Sequence, residues 1–203
     1  MTESDSVGIA SESDPLLLFR AWWETARTAS LSKHPGAVCV STVDKHGVPE
    51  GRFVDLKELS DQGFVFGTHL DSPKAHALAA NPHVGLTFWW DHVERQVRVV
   101  GRAERLSDAA ADALFATRTR EGQITSWGSQ QSAPLLDSTA FEQRLTDARR
   151  RFADADVPRP HHWGGYCVVP ARIEFLEFRE SRIHIRTLFE RDPAGWRRSL
   201  LQP

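Results

Sequence analysis

Three basic side chains and a hydroxyl fall close together in the first half of the chain, at positions suited to binding an anion. Arg52 and Lys57 lie in one alternating apolar run, Thr68 ends the next run, and Lys74 follows after a short gap. Guanidinium, ammonium and hydroxyl groups all donate hydrogen bonds to phosphate oxygens, so together they would form a phosphate site. The alternative is that these side chains only solvate the outer face of a hairpin. Spacing alone leaves both interpretations open.

The elements that would bring these groups together are a β-hairpin and the helix after it. Alternating runs at 48–57 and 64–69 are joined by Ser60-Asp61-Gln62-Gly63, a strong turn sequence. Ser72 is typical of a helix N-cap, and a helix is predicted over 72–80. The N-terminus of that helix would add free backbone N–H groups and the positive end of its dipole.

Outside this hairpin the sequence predicts further strands and a few short helices. Strands are expected at 37–43, 84–90, 96–106, 166–178, 182–190 and 196–201. Helices are expected from Asp14-Pro15, an N-cap and N1 pair, and over 107–116 and 138–153. The stretch 117–132 is rich in Arg, Gly, Gln and Ser, so it is predicted as a site loop. Neighbouring strands that form hairpins predict a mainly β (α+β) single domain over 14–203, an antiparallel barrel with flanking helices.

Composition and charge narrow the class of protein. Hydrophobic residues make up 40% and charged residues 26% of the chain, as in ordinary globular domains, and residues 1–13 are predicted as a disordered arm. The formal net charge of -2 and the lack of a long basic run argue against nucleic-acid binding. No apolar run reaches the roughly 18 residues of a membrane span, and the acidic start is unlike a signal peptide. We therefore expect a cytoplasmic protein that binds neither nucleic acid nor membrane.

The cysteines and histidines do not predict a metal site. Cys39 and Cys167 each lie in an apolar strand-like run and are expected to be buried, reduced thiols. The adjacent residues His161-His162 point in different directions, and no carboxylate is spaced to join them. The sequence also lacks a Gly-x-Ser-x-Gly setting for Ser129 or Ser132 and a Gly-x-Gly-x-x-Gly after a strand. A serine hydrolase and a dinucleotide-binding fold are therefore disfavoured.

Several short motifs, in order along nearly the whole chain, resemble those of the pyridoxamine 5'-phosphate oxidase family. They are Arg52-x-Val54-x-Leu56-Lys57, Phe66-x-Thr68, Ser72-x-Lys74-Ala75, Glu94-Arg95-Gln96-Val97, Gln123-Ile124-x-x-Trp127-x-Ser129-x-Gln131-Ser132, Trp163-Gly164-Gly165, Ile173-Glu174-Phe175 and Arg182-x-His184-x-Arg186. Each motif is weak alone, but this order and these intervals are hard to produce by chance. The resemblance implies an FMN-binding split β-barrel that forms a homodimer, with each active site shared between the two protomers.

The resemblance also assigns residues to the cofactor, FMN. Arg52 and Lys74 would hold its phosphate, with Thr68 and Ser132 as partners. The other implied contacts of FMN are Phe53, Val54, Lys57, Gly67, Gln96, Gln131, Trp163 and Arg186. This assignment favours the phosphate interpretation of the hairpin over the solvated one.

The implied reaction is the oxidation of a reduced nitrogen heterocycle, with hydride removal by FMN, O2 as the final acceptor and H2O2 as the product. Arg182 and His184 would cover the substrate and are the predicted catalytic residues. Arg182 would orient the substrate electrostatically. His184 would take a proton from a substrate nitrogen, because histidine side chains exchange protons near neutral pH.

The predicted substrate site departs from the family pattern. In family members that oxidise a phosphorylated vitamer, a Lys, a Tyr, an Arg and a Ser bind its phosphate. The corresponding residues here are Lys57, Leu114, Arg118 and Gly122, so two of the four donors are lost. Ile185 also replaces an Asp near the substrate, which makes the pocket more apolar.

A pocket less adapted to phosphate suits a larger, flat substrate such as those of the flavin oxidases of phenazine (antibiotic) biosynthesis. Lys57, Arg118 and Arg182 would then meet carboxylates. We therefore predict the aromatisation of a dihydro- or hexahydro-phenazine carboxylate. Two alternatives remain: a pyridoxine/pyridoxamine 5'-phosphate oxidase that makes pyridoxal 5'-phosphate, and a flavin-binding protein without catalytic activity.

Overall fold

The computed structural model describes residues 14–29 and 33–203, so the predicted arm at 1–13 lies outside the described residues. The strands are β1 (Ala37–Val43), β2 (Pro49–Leu59), β3 (Phe64–His69), β4 (His83–Trp90), β5 (Arg95–Arg105), β6 (Trp163–Glu177), β7 (Ile185–Asp192) and β8 (Gly195–Leu201). The helices are α1 (Pro15–Thr28), α2 (Pro73–Ala80), α3 (Asp108–Ala116), α4 (Arg120–Gly128) and α5 (Ser138–Arg151). None of these helices is long and apolar enough to cross a membrane.

The strands form one antiparallel sheet in the order β3-β2-β1-β4-β5-β6-β7-β8. A further pairing between β3 and β6 closes the first six strands into a barrel, and β7 and β8 extend the sheet beyond it. Closure leaves the backbone groups of these strands paired with neighbours instead of at an open edge. The predicted mainly β fold with an antiparallel barrel and flanking helices is confirmed.

Helix α1 covers the apolar interior of the barrel. Asp14 caps the helix as predicted, since its Oδ1 accepts a hydrogen bond from the Leu16 N–H at 2.8 Å. Phe19 is fully buried, and its ring centroid lies 4.8 Å from those of both Phe64 and Phe88. Edge-on ring contacts of this kind stabilise a core beyond the area they bury. The barrel core therefore depends on a side chain supplied from outside the sheet.

The prediction of a loop over 117–132 was wrong, because helix α4 occupies most of this stretch. Thr119 caps the helix through an acceptor bond from the Gly122 N–H at 3.2 Å. Ile124 is buried in a second apolar cluster with Ala148 and Phe152 from the end of α5. A few apolar residues are thus sufficient for a helix when a neighbouring helix covers them, and such a contact leaves no periodic pattern in the sequence.

Two further expectations were wrong in detail. Strand β7 begins at Ile185 instead of residue 182, so Arg182 and His184 lie in the turn before it. Arg182 has a φ of 65°, a left-handed conformation that a continuous strand does not allow. Cys167 is buried as predicted, but Cys39 is only partly buried. Its Sγ faces Gly51, which has no side chain to cover it.

Candidate active site

A cavity of about 580 Å³ lies beside the β2–β3 hairpin. Its walls come from β2, β3, the start of α2 and the segment that follows α4. The lining residues are Glu50, Arg52, Phe53, Val54, Asp55, Lys57, Gly67, Thr68, Pro73, Lys74, Arg118, Gln131 and Ser132. Most of the residues predicted to bind FMN therefore line one cavity of a single protomer. The phosphate interpretation of the hairpin required this arrangement.

The side chain of Lys74 lies at the centre of the polar part of this cavity. Its Nζ donates to Thr68 Oγ1 at 3.0 Å, to Ser72 Oγ at 3.2 Å and to Gln131 Oε1 at 2.6 Å. Ser72 is the N-cap residue of α2 as predicted, but its hydroxyl donates to the His69 carbonyl oxygen at 2.7 Å and makes no capping bond to the helix. Burial, and secondly the charge of Arg52, lower the pKa of Lys74 to about 8. This ammonium has no carboxylate partner among the described residues, so a bound anion would be favoured.

Arg52 supplies the second positive charge of the cavity. Its Nη1 donates to the Val40 carbonyl oxygen at 3.1 Å and to Thr42 Oγ1 at 2.7 Å, which anchors the guanidinium on β1. Its Nη2 meets Glu50 Oε2 at 2.6 Å, but the Glu50 side chain is 59% exposed and is free to swing into solvent. Two cations beside hydroxyl donors and the N-terminus of α2 form a donor set that fits a phosphate dianion.

Trp163 forms a buried wall behind the cavity. A Cβ added at Gly67 would lie 2.6 Å from the Trp163 ring, so only glycine leaves room for the indole there. The guanidinium of Arg118 lies over the same ring, 5.2 Å from its centroid, and its Nη2 donates to the Gly122 carbonyl oxygen at 3.0 Å. Burial lowers the pKa of Arg118, whose Nε is buried without a partner among the described residues. Arg118 thus has donor capacity left for a ligand.

Of the four positions predicted to bind a substrate phosphate, Arg118 and Lys57 supply donors, whereas Leu114 and Gly122 do not. Leu114 is buried, and its Cδ2 would lie 3.6 Å from a Cβ at Gly67. Gly122 is close enough that an added Cβ would lie 3.4 Å from Arg118 Nη2. Lys57 lines the same cavity as Arg118, and its Nζ pairs with Asp55 Oδ2 at 2.6 Å. Cationic donors are therefore present, whereas the neutral donors at positions 114 and 122 are missing.

The remaining predicted residues lie on β5, on β7 and in the turn before β7. The strand register places Gln96 opposite Leu176 and Leu176 opposite Arg186, so these three side chains form a row across the sheet. Neither Gln96 nor Arg186 lines the cavity that Lys74 occupies in the described chain. Leu176, which the sequence analysis did not single out, lies between Gln96 and Arg186 on β6.

The imidazole of His184 is oriented by the turn before β7. Its Nδ1 accepts a hydrogen bond from the Arg179 N–H at 3.1 Å, and its ring packs against Phe178 with centroids 5.0 Å apart. An accepting Nδ1 leaves the proton of the neutral imidazole on Nε2. The free edge of neutral His184 is therefore a hydrogen-bond donor, and its proton-accepting role stays a prediction.

Comparison with known proteins agrees with this geometry. Residues 25–152 match the family model described as pyridoxamine 5'-phosphate oxidase, and residues 163–203 match the pyridoxine 5'-phosphate oxidase C-terminal dimerisation region. The chain is 47% identical over 190 residues, 94% of its length, to 88% of the pyridoxine/pyridoxamine 5'-phosphate oxidase of Sphingopyxis alaskensis. It is 45% identical over 95% of its length to 88% of the enzyme of the same name from Rubrobacter xylanophilus.

A solved structure extends the comparison. PhzG from Burkholderia lata 383, crystallised in complex with tetrahydrophenazine-1-carboxylic acid, superposes with a TM-score of 0.89 at 28% identity. The superposition covers 94% of this chain and 93% of that one. With the family matches, this places the chain in the pyridoxamine 5'-phosphate oxidase family, as an FMN-dependent oxidase.

Proposed function

We propose that this oxidase aromatises a reduced nitrogen heterocycle that carries a carboxylate, of the dihydro- or hexahydro-phenazine type. The observation that carries the proposal is the loss of two neutral donors beside Arg118, at Leu114 and Gly122. When bound, FMN supplies the hydride acceptor, and O2 is the final oxidant. The chain's own residues bind and orient the substrate.

The missing donors favour a carboxylate over a phosphate. A hydrogen bond to a charged group contributes about 1.5–3 kcal/mol, so two missing bonds would cost a phosphate dianion several kcal/mol. A planar carboxylate needs fewer donors, and Lys57 with Arg118 supplies two cationic ones. The family resemblance implies that Ile185 lies near the substrate, where an apolar side chain suits a flat ring system. The complex of the Burkholderia structure with a phenazine carboxylate supports this choice.

A second candidate function is the oxidation of pyridoxine or pyridoxamine 5'-phosphate. The observation in its favour is the name of the relatives at 47% and 45% identity, which exceed the 28% identity to PhzG. In that case Lys57 and Arg118 would hold the vitamer phosphate without help from positions 114 and 122.

The active site is proposed to be shared between two protomers. Arg182, His184 and Arg186 all lie within the residues that match the dimerisation region, on the part of the sheet away from Lys74. Large apolar side chains are exposed in the turn before β7, on β2 and on β4, namely Ile183 at 69%, Phe53 at 72% and Trp89 at 53%. An exposed apolar surface of this kind fits a homodimer contact. Arg182 and His184 of one protomer would then cover the substrate of the other, with Arg182 orienting it and His184 donating from Nε2.

The test is oxygen uptake by the FMN-loaded protein with a reduced phenazine carboxylate and, in parallel, with pyridoxine 5'-phosphate. The expected result is turnover of the tricycle with slow or undetectable turnover of the vitamer. Efficient turnover of the vitamer alone would overturn the proposal and favour the second candidate. An oxygen-consumption trace without enzyme corrects for spontaneous oxidation of the reduced tricycle.

A further inference from the structure

A buried carboxylate lies between two arginines on neighbouring strands of the extended sheet. Glu174 on β6 is only 8% exposed. Arg186 on β7 donates to its Oε1 from Nε at 2.9 Å and from Nη2 at 2.8 Å. Arg98 on β5 approaches its Oε2 at 3.4 Å. A carboxylate removed from water in this way is tolerated because both of its oxygens face positive charge.

These contacts decide which donors of Arg186 stay available. Its Nη1 donates to the Gln202 carbonyl oxygen at 3.0 Å, so three of its N–H groups are engaged in the chain. A guanidinium has five N–H groups in a rigid planar fork. One N–H therefore remains on Nη1 and one on Nη2. With Nε and Nη2 both held by one carboxylate oxygen, the plane of the fork is fixed relative to β6 and β7.

We propose that Glu174 is a positioning residue, which holds the guanidinium of Arg186 in the orientation that contacts FMN. This inference rests on the cofactor contact proposed for Arg186. Glu174 itself does not touch the cofactor. Without its carboxylate, Arg186 would keep one fixed contact to Gln202 and could adopt other rotamers, so part of the cofactor affinity would be lost as ordering entropy.

A merely structural role predicts something different. Glu174 would then strengthen the packing of β5, β6 and β7, and its removal would lower stability whether or not Arg186 is present. Glu190 offers a matched control, because it pairs with Arg197 at 2.6 Å on the same extended sheet but in a more exposed place. The Glu190→Gln variant removes one such pair without touching Arg186.

The experiment is a double-mutant cycle on FMN affinity. FMN-loaded, full-length protein is diluted serially, and the fluorescence of released flavin yields Kd for the wild type, Glu174→Gln, Arg186→Met and the double variant. We expect Glu174→Gln to raise Kd about tenfold, comparable to one charge-assisted hydrogen bond. The double variant should bind FMN no more weakly than Arg186→Met alone, and Glu190→Gln should bind like the wild type.

Two outcomes would overturn the proposal in distinguishable ways. If the two single effects multiply in the double variant, Glu174 does not act through Arg186 and its role is structural. If Arg186→Met leaves Kd unchanged, the proposed contact between Arg186 and FMN is itself wrong, and the positioning role fails with it. Should Glu174→Gln fail to fold, Glu174→Asp replaces it in the same cycle, since it keeps the charge but shortens the reach to Arg186.

Discussion

The ammonium of Lys74 donates a 2.6 Å hydrogen bond to the side-chain oxygen of Gln131, a residue 57 positions further along the chain. Gln131 Oε1 also accepts from Thr68 Oγ1 at 3.1 Å. One carbonyl oxygen thus takes donors from the two side chains that fit a phosphate. Phosphate oxygens would occupy the same acceptor position, so Lys74 and Thr68 are already oriented for such a ligand.

The first prediction concerns pH and Lys74. Burial and the charge of Arg52 lower the pKa of this side chain from 10.5 to about 8 in the chain without cofactor. Phosphate binding favours the charged ammonium, so above that pH a proton must be taken up on binding. FMN affinity should be level near pH 7 and should fall as the pH rises above about 8, by at most about tenfold per pH unit. Titration of apoprotein with FMN from pH 6.5 to about 9.5 measures this.

The matched variant for this prediction is Lys74→Arg. Arginine stays charged over the whole range, so its affinity for FMN should not decline in the same window. A wild-type affinity that stays constant up to the highest pH would show that Lys74 is not the titrating group in the phosphate site.

The second prediction concerns the close packing of Gly67 against Trp163. In Gly67→Ala the new methyl group would lie 2.6 Å from the indole, which must shift together with the Arg118 guanidinium stacked on it. We expect a loss of about 1–3 kcal/mol in the free energy of unfolding, as for other overpacked sites. Urea denaturation measures it. Gly85→Ala on β4 is the control, because its Cβ would meet no atom closer than 3.7 Å. Equal losses in the two variants would contradict the packing argument.

The third prediction concerns the substrate donors. Leu114→Tyr combined with Gly122→Ser introduces the two hydroxyl groups that the family resemblance implies for oxidases of a phosphorylated vitamer. We expect kcat/KM for pyridoxine 5'-phosphate to rise, by about tenfold or more for each bond formed to the phosphate. The gain should appear mainly in KM. No change for the vitamer would mean that the pocket rejects it for another reason, such as the apolar surface near Ile185.

The fourth prediction concerns the sharing of the active site. Each active site is proposed to contain Lys74 from one protomer and Arg186 from the other. The variants Lys74→Met and Arg186→Met therefore damage different parts of the site. Each variant alone should be nearly inactive, whereas random mixing of the two should restore about one quarter of the sites, because half of the dimers then carry one intact site. Activity after refolding an equimolar mixture measures this.

Mixing of Lys74→Met with Thr68→Ala is the control for this complementation. Both changes lie in the same half of the site, so no heterodimer would carry an intact site. Restoration in this control, or none in the first mixture, would contradict a site divided between Lys74 of one protomer and Arg186 of the other.

Local features of the chain were predictable because their causes are local. The Ser60–Gly63 turn sets the hairpin, whose strands bring Arg52 and Thr68 to one cavity, and the helix that follows adds Lys74. Asp14 and Ser107 cap helices through bonds that span two or three residues. Such contacts follow from turn chemistry and periodicity, which any single sequence displays.

Contacts between distant segments were decided only by the tertiary structure. Strand register and loop closure determine which distant residues are neighbours. They produce the hydrogen bond between Lys74 and Gln131, the ion pair between Glu174 and Arg186, and the pairing of Gln96 with Leu176. Helix α4 forms because α5 covers Ile124, and the proton of neutral His184 sits on Nε2 because a turn presents the Arg179 N–H to Nδ1. By itself the sequence determined the barrel and its β2–β3 hairpin, and it predicted the phosphate site and the missing substrate donors. The orientation of the side chains around them came from packing, which depends on three-dimensional neighbours that periodicity does not encode.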